Sequence, residues 1–140
     1  MRKHDFKQCN DLLYGYYLDA SIEAKQALTN ITDDLLYYFG NESSVRLYRG
    51  LSFSSAKQRL AFITSLGKGL VLNEQYISSW SASSSIAQSF AKKHKYGIVI
   101  SFIARKQTSA NISSLCFNIE REYILPPGCY KIDKFTLINR

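Results

Sequence analysis

Two carboxylates two residues apart, Glu120 and Glu122, open the segment Glu120-Arg121-Glu122-Tyr123-Ile124-Leu125, which runs into Pro126-Pro127-Gly128. Strand side chains alternate between two faces, so an extended Glu-x-Glu sets both carboxylates on one face about 7 Å apart and turns Arg121 away. A single substrate can touch both at that spacing. The same pattern also describes a solvated edge strand with its charges outward, and the choice depends on what else the chain brings to the site.

Two further places hold polar groups in suggestive settings. Arg49 follows Tyr48 and precedes Gly50, at the end of the alternating run Val45-Arg46-Leu47-Tyr48-Arg49. Its guanidinium is planar and permanently charged, which suits phosphate groups, although an exposed ion pair at a strand end would look the same. Arg46 lacks that setting and reads as structural. Ser79-Trp80-Ser81 is the second place; Ser81 stands six residues before Ala87 and nine before Phe90. Other chemistries find no support. His4 and His94 are not paired with a Cys or Ser nucleophile, so triad catalysis is not indicated. Cys9, Cys116 and Cys129 have neither zinc spacing nor the density of a disulfide scaffold, which predicts reduced thiols and no metal site. There is no Gly-rich phosphate loop and no dinucleotide fingerprint.

The elements that must position these groups are legible as periodicity. From Asp5 to Phe39, apolar residues recur at three to four, predicting two or three short helices, with Asp19 and Thr32 as caps and Gly40-Asn41 as a stop. Val45 to Arg49 alternates as a strand ending at Gly50, and Ser54 to Leu66 predicts a helix ended by Gly67. Strands follow at Leu70-Val71-Leu72 and Gln75 to Ser79, then a helix from Ser84 to His94 capped by Ser83. The remainder reads as strand: Gly97 to Ala104, Ser114 to Asn118, Glu120 to Leu125 and Cys129 to Leu137, with Pro126-Pro127-Gly128 as the turn between the last two. The fold class is α+β, helices first and then a mostly antiparallel sheet.

At 140 residues and 46% hydrophobic composition, the chain fits one packed domain, and it has no internal repeat or linker-like stretch. The start Met1-Arg2-Lys3-His4-Asp5 is charged but is not followed by a secretory apolar region, and no run reaches the length of a membrane span. A cytoplasmic protein without signal peptide or membrane association is therefore expected, in the producing cell or in a target cell if it is delivered. The net charge of +7 favours acidic partners or nucleic acid, but the basic residues are dispersed along the chain, so nucleic acid is disfavoured without being excluded.

Arg49-Gly50, Ser79-Trp80-Ser81 with Ala87 and Phe90 behind it, and Glu120-Arg121-Glu122 before Pro126-Pro127 stand in a fixed order. This order resembles the Arg, Ser-x-Ser, Glu-x-Glu signature of mono-ADP-ribosyltransferases, a family of clostridial binary toxins, vertebrate ectoenzymes and phage-encoded modifying enzymes. The resemblance covers residues 45 to 136. It implies a single ADP-ribosyltransferase catalytic domain over residues 1–140, with a helical N-terminal part at 1–40 and a motif-bearing core at 45–137 around an NAD cleft. The activity it implies cleaves NAD, releases nicotinamide and passes ADP-ribose to an arginine of a target protein, with NAD consumed as substrate and no metal. A bacterial or phage effector or toxin is the expected setting, and an immunity or activating protein is left open as a partner.

By position in the motifs, Glu122 would stabilise the oxocarbenium-like transition state and Glu120 would hold and deprotonate the acceptor guanidinium, whereas Gln-x-Glu relatives act on acceptors such as asparagine. Ser79 would hold the catalytic glutamate by a hydrogen bond, with Ser81 a backbone or turn contact. Arg49 would bind the pyrophosphate and a nearby ribose, and Gly50 would let backbone groups reach the nicotinamide amide. Phe90 would pack on nicotinamide, with core packing as its alternative. Trp80 replaces a frequent Thr and reads equally as core residue or cleft wall; Tyr48 and Tyr76 receive no catalytic role. Two alternatives stay open: an NAD glycohydrolase or nucleic-acid ADP-ribosyltransferase, and an inactive member of the fold serving as a binding module.

Overall fold

Helix starts follow from local capping chemistry. The structure is a computed structural model that describes residues 3–113 and 121–140. In it, Asp5 accepts from the Gln8 backbone N–H while the Gln8 side chain accepts from the Asp5 N–H, a reciprocal box that opens α1 (Phe6–Leu18). Ser21 caps α2 (Ile22–Thr29), and Asp19, expected in that role, instead ends α1. The third helix, α3 (Thr32–Phe39), begins after Ile31 without a side-chain cap, so Thr32 is its first residue. Its start is held another way: the buried Asp34 carboxylate accepts from the His4 backbone N–H at 3.2 Å. Cys9, Leu13, Tyr16, Leu28, Leu35 and Phe39 of these helices form one core with Ala110 and Ile124 of the sheet and with Ile77 and Ile112 beside its strands.

The sheet has order β5-β6-β3-β1-β4-β8, built from β1 (Val45–Phe53), β3 (Ser78–Ser81), β4 (Tyr96–Ala104), β5 (Ala110–Asn111), β6 (Glu122–Leu125) and β8 (Lys134–Asn139). A second sheet pairs β2 (Val71–Glu74) with β7 (Gly128–Lys131). Every ladder is antiparallel. Helix α4 (Ala56–Leu66) is capped by Ser55 and stopped by Gly67 at φ +71°. It covers one face with Leu47, Leu66, Leu72, Trp80, Ile98, Ile100 and Leu125 in its core. The result is one small α+β domain.

Three expectations are corrected by the architecture. The first strand continues past Gly50 to Phe53. Its partner β4 supplies a continuous register from Val45↔Ala104 to Phe53↔Tyr96, and α5 (Ser84–Ala91) lies directly over it. A Cβ at Gly50 would come within 1.8 Å of the Ala87 carbonyl oxygen, and one at Gly97 within 2.0 Å of that of Ala91. The glycine is a seat for a helix, not a strand terminator. Next, the expected strand from Cys129 to Leu137 is two, β7 and β8, in different sheets, so the Pro126-Pro127-Gly128 turn carries the chain from one sheet to the other. Finally, α5 ends at Ala91, three residues short of His94. The expected strand from Ser114 to Asn118 lies outside the described residues. Among the described residues no helix is long and apolar enough to cross a membrane.

Candidate active site

β1 and β3 are neighbours at the centre of the sheet, yet they pair at a single position, Tyr48 opposite Ser81. Beyond it Arg49–Leu51 and Trp80–Ser79 run on without ladder partners across the gap, and a cleft of about 470 Å³ opens there. Its walls include Arg49, Gly50, Ser79, Ser81, Phe90 and Glu122. The structure therefore brings together every described residue of the predicted site. Glu120 lies outside the described residues. Arg121 takes φ +50°, well away from extended backbone, and β6 begins at Glu122.

Glu122 is placed by the β3–β6 ladder, which sets it opposite Ser81, while Ser79 stands opposite Ile124. Directly opposed residues on an antiparallel pair are the closest cross-strand neighbours, and Ser79 is one diagonal step away. The Ser79 hydroxyl shares a 2.5 Å hydrogen bond with the Tyr16 hydroxyl of α1. This corrects the expectation that Ser79 holds the glutamate directly: its partner is Tyr16. Ser81 accepts from the Ser83 backbone N–H at 3.0 Å, the turn contact expected of it. Tyr16 is buried, and burial pushes its phenol above the ordinary value; the charge of Glu122 adds to that rise, while the bond to Ser79 and the charge of Arg49 oppose it.

Arg49 makes an ion pair with Glu74 at the end of β2, through one guanidinium nitrogen. The guanidinium carbon lies 5.9 Å from the centre of the Trp80 ring. Trp80 is only 2% exposed; its indole N–H donates to the Ser78 hydroxyl at 2.8 Å and its ring meets Phe102 edge-on at 5.1 Å. It is at once a core residue and the floor of the cleft, so neither earlier reading of it excludes the other. Phe90 is half-buried on the cleft side of α5, and Ala87 and Ala91 take the core side. The Lys93 ammonium sits 4.5 Å from the Phe90 ring centre, at the cleft rim. Gly50 also lines the cleft, but its missing side chain makes room for the Ala87 carbonyl, which differs from the expected access for a ligand amide. Arg46 forks onto Asp133 at 2.7 and 3.1 Å, a structural pairing.

A smaller compartment of about 260 Å³ adjoins the cleft and shares Lys25, Arg49 and Ser79 with it. Its lining also includes Tyr16, Glu74 and Tyr76. Sequence reasoning missed Tyr16, Lys25 and Glu74. Tyr16 falls on the apolar face of a helix and reads as core; only its partner across 63 residues reveals the hydroxyl's role. Lys25 is one of many dispersed cations, and nothing near Glu74 in sequence marks it. Among the described residues no group of His, Cys, Asp or Glu could hold a metal ion, and Cys9 and Cys129 are free thiols. Compared with known proteins, the chain matches no family model and no curated protein.

Proposed function

We propose that this chain is an NAD-dependent mono-ADP-ribosyltransferase with an arginine acceptor, built on the ADP-ribosyltransferase fold. The observation that carries the reading is the convergence of Arg49, Gly50, Ser79, Phe90 and Glu122 on one cleft from β1, β3, α5 and β6. These residues are far apart in sequence and are the ones the ordered motifs single out.

The chemistry asks for such a constellation. When the bond between nicotinamide and ribose breaks, its electron pair leaves with neutral nicotinamide and positive charge develops at the anomeric carbon. A carboxylate fixed beside that carbon stabilises the transition state more than the ground state. Glu122 takes this role and accepts a hydrogen bond from the adjacent ribose hydroxyl. Arg49 binds the pyrophosphate, for which a planar guanidinium with several donors is suited. Phe90 offers a flat apolar surface for nicotinamide. The acceptor guanidinium is a poor nucleophile while protonated, so one proton must pass to a base as its nitrogen bonds to the anomeric carbon. Glu120 is assigned that proton from the motif alone. The products are nicotinamide, an ADP-ribosylated guanidinium that keeps its charge, and one proton.

The test follows nicotinamide release and transfer of labelled ADP-ribose to agmatine, a simple guanidine acceptor. The wild type should do both. Glu122→Gln should lower both by roughly 10²–10³-fold, and Glu120→Ala should abolish transfer while sparing part of the hydrolysis. Equal transfer by Glu120→Ala would remove the arginine assignment. Label that is lost to nuclease but not to protease, with lysate as acceptor, would move the acceptor to nucleic acid. No nicotinamide release by the wild type would point to a binding module.

A further inference from the structure

Glu74 stands outside all three sequence motifs, at the last position of β2 opposite Gly128 of β7. That two-stranded sheet lies apart from the six-stranded sheet that carries Arg49. Its carboxylate nevertheless reaches the Arg49 guanidinium, and both side chains are largely shielded, 21% and 26% exposed. A carboxylate that has given up most of its water needs a partner, and here the partner is the cation that faces the cleft.

The pairing engages only one terminal nitrogen of Arg49. A guanidinium carries five N–H donors, and among the described residues no hydrogen bond takes up the rest of them, which leaves most of its donor capacity for a ligand. Arg49 lines both compartments, with Trp80 at its face and Lys25 sharing the same two linings. A long flexible side chain is thereby fixed at the junction of the two cavities before any ligand arrives, which reduces the ordering cost of binding an anion there.

We propose that Glu74 is a positioning residue: by pairing with one edge of Arg49 it holds the guanidinium across the junction of the two compartments, with its other donors turned to the anionic centre of a dinucleotide. This rests on the reading of the cleft as an NAD site. Glu74 acts through Arg49 and touches no reacting atom. An anchor that favours ground state and transition state equally should alter KM and leave kcat nearly unchanged.

The experiment separates the anchor from the reading beneath it. Calorimetry with inorganic pyrophosphate tests the pair without requiring NAD to be cleaved, and nicotinamide release by the wild type tests the NAD reading by itself. Glu74→Gln, nearly the same shape without the charge, should weaken pyrophosphate binding and raise KM for NAD, each about tenfold, with kcat within about twofold. In an Arg49→Lys background the same change should add less than about twofold, because both act through one contact. Unchanged or tighter pyrophosphate binding in Glu74→Gln would overturn the proposal, as would an equal loss in both backgrounds or no measurable wild-type binding of either ligand. Pyrophosphate binding that depends on Glu74 in a protein that does not cleave NAD would keep the anchor and discard the NAD reading. If Glu74→Gln does not fold, Glu74→Asp, which keeps the charge on a shorter arm, should show the same split in KM against kcat.

Discussion

Arg46 and Arg49 stand three residues apart on β1 and are equally shielded, 25% and 26% exposed, yet their guanidinium groups are engaged differently. Both belong to the continuous β1–β4 ladder, and Arg46 donates twice to Asp133 and also to the Ser101 hydroxyl at 2.9 Å. Arg49 stands where β1 and β3 part, and one nitrogen alone engages Glu74. A guanidinium with its fork filled by its own protein is a tie between strands. One with its fork mostly open, beside a cavity, is available to a ligand. Burial does not separate the two, nor does the β1–β4 ladder that both belong to; the count of satisfied donors and the adjoining cleft do.

The comparison can be broken most forcefully at Gly50. It lies where the ladder side and the cleft side meet, and Gly50→Ala drives a methyl into the Ala87 carbonyl. We expect a loss of about 1–3 kcal/mol in stability, toward the upper end, read as a fall in Tm. Lost activity with unchanged Tm would mean that Gly50 serves the ligand rather than the helix. The paired arginines sharpen the contrast next. Arg49→Lys should raise KM for NAD about tenfold with little change in Tm, since a point charge replaces a fork. Arg46→Lys should leave KM alone and lower stability by about 1 kcal/mol at most, because Asp133 is 45% exposed and solvent screens the pair.

The smallest effect is expected at Tyr16. Tyr16→Phe removes the partner of Ser79 and should cost about 1 kcal/mol in stability and a few-fold in kcat. It should also change the alkaline limb of stability. Burial raises the Tyr16 phenol above 10.0 and pushes that of Tyr130 up to about 12. For a phenol raised in the folded state, the native protein holds its proton longer, so the contribution is full below pH 10.0 and is lost as pH rises through the folded value. Denaturant melts from pH 9 to 12 should therefore fall with pH, and more shallowly in Tyr16→Phe.

Features that depend on neighbours in sequence were legible: the helical periodicity before Phe39, the Ser83 cap, the Gly67 stop and the central strand at residues 96–104 all formed near their expected places. Five of the residues that the ordered motifs single out, Arg49, Gly50, Ser79, Phe90 and Glu122, line one cleft. What escaped depends on contacts between distant segments. Gly50 reads as a stop because glycine usually breaks a strand, and only the approach of α5 explains it. Asp19 and Ser21 are both acceptable caps, and the choice rests on where α1 ends. Glu74 reaches Arg49 by passing between sheets, a geometry that no local pattern encodes.

The single pairing of Tyr48 with Ser81 has a bearing on how such a cleft could diversify. The ladders on either side, β1 with β4 and β3 with β6, are each continuous, so the two walls share one core but only one backbone rung. Substitutions at that rung can retune the width of the opening without disturbing the register of either wall. The width of the opening is thus set at that rung, and its lining by the side chains that both walls and α5 bring to it.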